Sequence, residues 1–336
     1  MRPKITVIIP AYNAEKTIKK TLDAVLSQDL SKNRFEIIVV NDGSTDNTKK
    51  IVSKFKKVKL VSIKHSGPAV ARNRGAKVAK GEIIAFTDAD CVPKNDWLKN
   101  LISPFKKSET VGVAGTYETL NKNQFMARFI GYEIEQRHES MKKLASIDFV
   151  GTYNCAYRKS IFRKIYGFDE SFLVASGEDP ELSFRMKKAG HKIVFRPKAI
   201  VLHSHPDTLK KYLKQKYNRA FWKVFLYKRH PKKVFGDVYT PKTLLPQIFF
   251  TGLALLSLLL TFVYSWIIYF FLIFILLSLF MNYNFYRFVL KKERSILLFS
   301  PIIFLLRNII SLIAILHGIL FFGMKISKQD TLKIKN

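Results

Sequence analysis

From Leu244 to Met281 the chain runs 38 residues without one charged side chain. A helix at the surface of a soluble domain alternates an apolar stripe with a polar face, and this run has no polar face. A membrane-crossing helix takes about 20 apolar residues, so the run has the length for two spans. Tyr264-Ser265-Trp266 would form the tight turn between them, its aromatic rings suited to a membrane interface. A third apolar stretch, Ile296 to Gly323, carries Pro301, Arg307, Asn308 and His317. It reads as one long tilted span or a broken pair. The expected spans are 244–263, 266–282 and 296–323, with a basic tail over 325–336. Asn282 to Ser295 holds Arg287, Lys291, Lys292 and Arg294 against Glu293 alone. The positive-inside rule places that loop, and the chain before the first span, on the cytoplasmic side. The expectation is a multi-pass cell-membrane protein.

Lys and Arg number 57 against 25 Asp and Glu, a net charge of +32. Residues 1–243 hold 48 of the basic and 23 of the acidic residues, so the excess lies where it would face anionic lipid. An anionic membrane explains it better than nucleic acid, which is not an expected partner. Cys91 and Cys155 give no disulfide framework and point to a reducing compartment. The first apolar run, Ile5 to Ile9, meets Pro10 and is too short for a signal-peptide core.

Residues 1 to about 105 alternate strand and helix patterns. Strands are expected at Ile5–Ile9, Phe35–Val40, Val58–Ile63 and Ile83–Phe86, and helices at Ala14–Gln28, after Thr45 or Asp46, and at Ala69–Ala79. This alternation predicts an α/β fold with a parallel, doubly wound sheet. In such sheets ligands bind beyond the carboxyl ends of the strands. Asp88 and Asp90 fall there, one residue apart after Phe86-Thr87. Mg²⁺ is usually held by one or two carboxylates plus phosphate oxygens, so the pair suits a metal bridging to a diphosphate.

Four segments carry a resemblance. Val7 to Asn13 (VIIPAYN), Val39 to Thr48 (VVNDGSTDNT), Gly67 to Gly75 (GPAVARNRG) and Thr87 to Asp90 (TDAD) resemble, in order and spacing, the successive motifs of family 2 glycosyltransferases. A fifth, Gly177 to Arg185 (GEDPELSFR), extends the likeness to about residue 205. The resemblance implies a GT-A, Rossmann-like domain over 1–206, a nucleotide-sugar donor and an inverting transfer. An amphipathic helix and linker (207–243) and the transmembrane region (244–324) would follow.

Each residue also has a plainer reading. Asn41-Asp42-Gly43-Ser44 makes a good turn with no ligand; the resemblance makes the Asp42 carboxylate an acceptor for the ring N–H of the donor base. Pro10, Ala11 and Tyr12 form the first strand-end loop, where Tyr12 is either a nucleoside contact or a surface tyrosine. Arg72 offers a fork that suits phosphate, or is an ordinary helical arginine; Arg74 is the weaker choice. Asp179 precedes Pro180 and suits a helix cap. The resemblance makes it the base that takes the acceptor hydroxyl proton, with Glu178 orienting the site and Asn154 near the acceptor.

His203 follows the strand-like run Ala199 to Leu202. It is either structural or, with Asp88 and Asp90, a ligand to Mg²⁺ or Mn²⁺, imidazole suiting the latter better; His205 is a weaker candidate. Cys155 reads as a small core residue. Leu209 to Arg229 is a basic amphipathic helix, core-facing or interfacial. Its Gln215 and Arg219 have the wrong spacing for the Gln-x-x-Arg-Trp motif of processive synthases. The expected activity is metal-dependent transfer from a UDP- or GDP-sugar to a hydroxyl of a lipid-linked glycan. A polyprenyl- or dolichyl-phosphate acceptor and a non-catalytic nucleotide- or lipid-binding protein are the rivals.

Overall fold

A computed structural model describes residues 4–174 and 176–325; the expected tail beyond Lys325 lies outside them. The four expected strands form as β1 (Ile5–Ala11), β2 (Phe35–Asp42), β3 (Val58–Ile63) and β4 (Ile83–Thr87), alternating with α1 (Ile18–Leu26), α2 (Thr48–Ser53) and α3 (Pro68–Val78). Ile5, Val7 and Ile9 alternate onto the face that buries Ile18, Leu22 and Val25 of α1. On the other face Ile8 packs so closely on α3 that a Cβ at Gly75 would lie 2.4 Å from its side chain. Coverage of both faces explains why these strands read as near-continuous apolar runs.

Beyond β4 come β5 (Cys91–Pro93), α4 (Trp97–Ile102), β6 (Thr110–Thr119), α5 (Phe125–Met141), β7 (Asn154–Arg158), α6 (Lys159–Lys164), α7 (Glu178–Lys188) and β8 (Lys192–His203). The eight strands lie in the order β3-β2-β1-β4-β7-β6-β8-β5. The four expected strands do run parallel, and the sheet extends beyond them with two strands of opposite direction. β3-β2-β1-β4 run parallel, and so do β6 and β8; β7 is antiparallel to both neighbours, and β5 is antiparallel to β8. A parallel neighbour needs a crossover of a dozen or more residues. β4 turns through Asp88–Asp90 into β5, which pairs with β8 at the far edge of the sheet, and β7 enters beside β4 from the opposite direction.

The contacts divide the chain into two units, residues 1–122 with 137–205, and residues 123–136 with 206–336. The segment 123–136, which the sequence reading left in the catalytic domain, therefore groups with the C-terminal helices. These are α8 (Leu209–Arg229), α9 (Leu244–Leu260), α10 (Ile268–Phe280), α11 (Tyr283–Leu290) and α12 (Arg294–Lys325). Three unbroken spans are not what forms. Among the described residues, Arg294–Gly323 is the single helix long and apolar enough alone to cross a membrane. Ser265–Phe280 and Tyr283–Leu290 would make a second only as one span bent by 54°, and Leu244–Leu260 is shorter. The supposed polar loop after Met281 is itself partly helical, with Asn282 at the cap of α11.

Polar side chains tie these helices together. Glu133 of α5 accepts from Lys216 Nζ at 3.0 Å and Tyr212 Oη at 3.3 Å on α8. Arg307 of α12 lies 3.7 Å from the same carboxylate and donates to Gln247 of α9 and to Asn308 Oδ1. Asn308 Nδ2 in turn reaches Ser278 Oγ of α10 at 3.2 Å. Along α8, the rings of Phe221 and Phe225 each lie 5.0 Å from Phe322 of α12, the second stacked on it, and Tyr217 bonds His317. The apolar stripe expected to lie in a membrane interface is thus covered by α12.

Candidate active site

The strand ends of the first unit bring the distant motifs together. Register pairs Thr87 with Asn154 and Cys91 with His203, so β4, β7, β5 and β8 converge where the Asp88–Asp90 turn leaves the sheet.

Asp42 closes β2 and is 3% exposed. Its Oδ1 accepts from Ser66 N at 2.8 Å, and its Oδ2 from Gly67 N and His65 Nδ1, both at 3.0 Å. Gly67 has φ +94 and caps α3 ahead of Pro68. A side chain there would be strained and would meet the Leu173 carbonyl at 2.8 Å. The carboxylate therefore fixes the loop before α3 with both oxygens, though a carboxylate has about four acceptor positions and retains capacity for another donor. Tyr12, half exposed beyond Pro10 and Ala11, stacks on His65 with centroids 4.0 Å apart. His65 escaped the sequence reading. Its one signal was its place just before Gly67-Pro68.

Arg72 is 3% exposed and does not present its fork to a ligand. Nη1 donates to Glu178 Oε1 and Nη2 to Asp88 Oδ1, each at 2.9 Å, and Asp179 Oδ1 lies 4.0 Å away. The phosphate role expected of Arg72 gives way to a structural one: it ties three motifs together. Arg74 is exposed on the same helix. Glu178, itself buried, holds the entry to α7 by accepting from Ser176 N and Gly177 N.

Asp179 is not the helix cap. Gly177 takes that position, and Asp179 sits in the first turn of α7. Its Oδ2 accepts from Thr152 N at 3.0 Å, while Oδ1 is buried with no hydrogen-bond partner. About a fifth of the side chain as a whole stays accessible (21%), while Oδ1 itself lies beneath the surface. Burial, and then the neighbouring Glu178 carboxylate, push its pKa up to about 7 against the pull of Arg72. A carboxylate poised there suits a general base near neutral pH.

Asp90, half exposed, points Oδ2 to within 3.4 Å of His203 Nε2. Asp90, Cys91 and His203 place one candidate ligand atom each within 4.8 Å of one another. Burial drives the Cys91 thiol well up, so it stays protonated and is a poor ligand. Burial acts most strongly and would raise Asp90, but the hydrogen bond and charge of His203, with the Asp90 backbone and Cys91, together outweigh it and hold the carboxyl below its ordinary value. A carboxylate beside an imidazole fits a Mn²⁺-like ion better than Mg²⁺. Asp88 is turned to Arg72 and stands outside this cluster. His205 lies behind, its Nδ1 3.4 Å from that of His203.

Asn154 is a correction. It is fully buried, donates to Thr116 O and Ala199 O at 2.8 Å, and accepts from Trp97 Nε1 at 2.7 Å. No atom of it is left to meet an acceptor. Gly115 makes room, since a Cβ there would stand 2.3 Å from the Asn154 amide. Cys155 beside it is buried, as expected of a core residue. Asn154→Ala is expected to destabilise by about 1–3 kcal/mol for each partner left unsatisfied. Chemical unfolding against the parent protein measures it.

A mainly parallel sheet with an acidic turn and a histidine at its strand ends is the arrangement of a GT-A type of domain. The Glycosyl transferase family 2 profile matches residues 6–166. A probable glycosyltransferase of Bacillus subtilis, YdaM, is 34% identical over 231 residues, covering 64% of this chain and 54% of that protein. Glycosyltransferase AglE of Haloferax volcanii is 31% identical over 208 residues, covering 60% of this chain and 67% of that one. The chain belongs to glycosyl transferase family 2. It spans about half the length of YdaM and two thirds of AglE. In fold it is similar to the mannosyltransferase PcManGT from Pyrobaculum calidifontis, solved with GDP-Man and Mn²⁺, with a TM-score of 0.61 at 17% identity over 94% of this chain and 88% of that one.

Proposed function

We propose that this protein is an inverting, metal-dependent glycosyltransferase that moves one sugar from a UDP- or GDP-sugar to a hydroxyl of a lipid-linked saccharide at the cytoplasmic face of a membrane. The observation that carries the reading is the Asp179 carboxylate. It is fixed by Thr152, has one oxygen free of hydrogen bonds, and is poised near neutrality. A hydroxyl nucleophile needs such a base, whereas a lipid-phosphate acceptor, already an anion, does not. In a direct displacement Asp179 takes the hydroxyl proton as the acceptor oxygen forms its bond to the anomeric carbon and the nucleoside diphosphate departs.

Asp90 and His203 would hold the metal, which supplies charge neutralisation for the departing diphosphate. Tyr12, stacked on His65, would lie against the nucleoside, and the remaining acceptor capacity of Asp42 would read the base. Domain limits near 206 and 243, with the apolar helices as the anchor, belong to the same proposal.

The test is a transfer and donor-hydrolysis screen over nucleotide sugars with the full chain in detergent, with saccharide-lipid and polyprenyl-phosphate acceptors run in parallel. Turnover only with the phosphate acceptor would overturn the hydroxyl reading. Asp90→Asn is expected to remove Mn²⁺-dependent turnover and weaken Mn²⁺ binding measured by calorimetry. Full activity of this variant, or of the parent protein in EDTA, would overturn the metal assignment.

A further inference from the structure

With the apolar stripe of α8 covered by α12, the turn that follows α8 is one surface of the C-terminal unit left outward. Lys228, Arg229, Lys232 and Lys242 are exposed, and between them Phe235 is 79% exposed. From Leu209 to Thr243 there are eleven Lys and Arg against the single acidic Asp237. Asp237 is occupied in shaping the turn. Its Oδ1 accepts from Tyr239 N at 2.8 Å and Thr240 N at 2.7 Å, just after Gly236 at φ +111. The turn thus displays an aromatic ring among cations. It leads directly into charge-free α9, whose Phe249, Leu256 and Leu259 are exposed.

We propose that residues 228–242 are a docking surface for an anionic phospholipid bilayer, with Phe235 inserted at the boundary between headgroups and acyl chains and the basic side chains on the headgroup phosphates. This rests on the membrane reading given above and adds to it the place and the lipid chemistry of contact. Charge complementarity selects the partner, since clustered Lys and Arg beside an apolar helix are drawn to anionic headgroups. Continuity with α9 selects the bilayer over a soluble polyanion. Phe235 precedes the first residue of charge-free α9 by nine residues, so the ring and the helix start are close in the chain.

The experiment uses the full chain carrying Phe235→Cys, labelled with an environment-sensitive fluorophore. Cys91 and Cys155 are fully buried, so the label is directed to position 235. The protein is placed in nanodiscs of phosphatidylcholine alone or mixed with phosphatidylglycerol, with and without shallow spin-labelled lipid. The expected result is blue-shifted emission and quenching by spin-labelled lipid in the phosphatidylglycerol discs. Both should diminish in phosphatidylcholine and in high salt, where the screening length falls from about 8 Å to about 3 Å. Adding Lys228→Gln, Lys232→Gln and Lys242→Gln should remove the dependence on phosphatidylglycerol.

Incorporation into discs with water-like emission in both lipids would overturn the inference and leave the membrane reading standing. So would quenching indifferent to lipid charge and to the triple substitution. A spectral change with an added oligonucleotide but not with phosphatidylglycerol would assign the surface to nucleic acid instead. A chain that stays soluble without detergent and outside the discs would overturn the membrane reading itself.

Discussion

Asp179→Asn is expected to lower the turnover number by roughly 10²–10⁴-fold, the usual loss when a positioned base is removed. Donor affinity should change little, because Asp42, Tyr12 and the Asp90–His203 pair lie on other strand ends. Asn can still accept the Thr152 amide with its side-chain oxygen, so the entry to α7 survives. The pH profile gives a second readout. With a pKa near 7, Asp179 is protonated and idle in mild acid, so kcat should rise with pH to half its plateau at about 7. The variant should lack that inflection. The sign for stability is opposite. Between the ordinary Asp value of 3.8 and about 7, the folded chain keeps a proton that the unfolded chain has lost, and this contribution falls away as pH rises. Normal turnover in the variant, with its pH profile unchanged, would return Asp179 to a structural role and favour a phosphate acceptor.

Arg72→Met is expected to cost about 3–5 kcal/mol of stability, because removing one partner leaves a buried charge uncompensated. Glu178 is as buried as Arg72 itself, so no water can replace the lost guanidinium. Asp88, a third exposed, is less penalised but loses its orientation. Arg72→Lys should restore part of the loss, since an ammonium cannot reach both carboxylates with a planar fork. Thermal unfolding of the full chain in detergent reads both variants. In the fraction of Arg72→Met that remains folded, the kcat inflection should move above about 7, because the cation that lowers Asp179 is gone. A variant as stable as the parent protein would mean that Asp88 and Glu178 are held by other groups.

Much of the first unit was legible because its signals are local. β1 to β4 sit where apolar runs end in turn residues, and α8 spans Leu209–Arg229 as its spacing indicated. What escaped depends on partners far away in the chain. Nothing near Asn154 shows that Trp97 will take its amide oxygen, or that Thr116 and Ala199 will take its nitrogen. Arg72 looked like a phosphate fork because Glu178, 106 residues on, cannot be seen as its partner from either segment. Asp179 looked like a cap because Pro180 marks a first turn; the helix starts two residues before Pro180, at Glu178. The direction of β7 and the break after Phe280 likewise depend on packing rather than on local pattern.

The polar links of α12 bear on how such a chain could be assembled. Arg307 and Asn308 stand near the middle of its apolar stretch, and their partners are Glu133, Gln247 and Ser278 on three other helices. A lone Arg at the centre of a membrane helix costs about 2.5–3.5 kcal/mol on insertion scales. If α12 crosses a bilayer, it gains from entering after its partners rather than ahead of them. The last of the described helices is then also the one that locks the earlier ones in register. Shortening the chain before Arg307 would remove a clasp as well as an anchor.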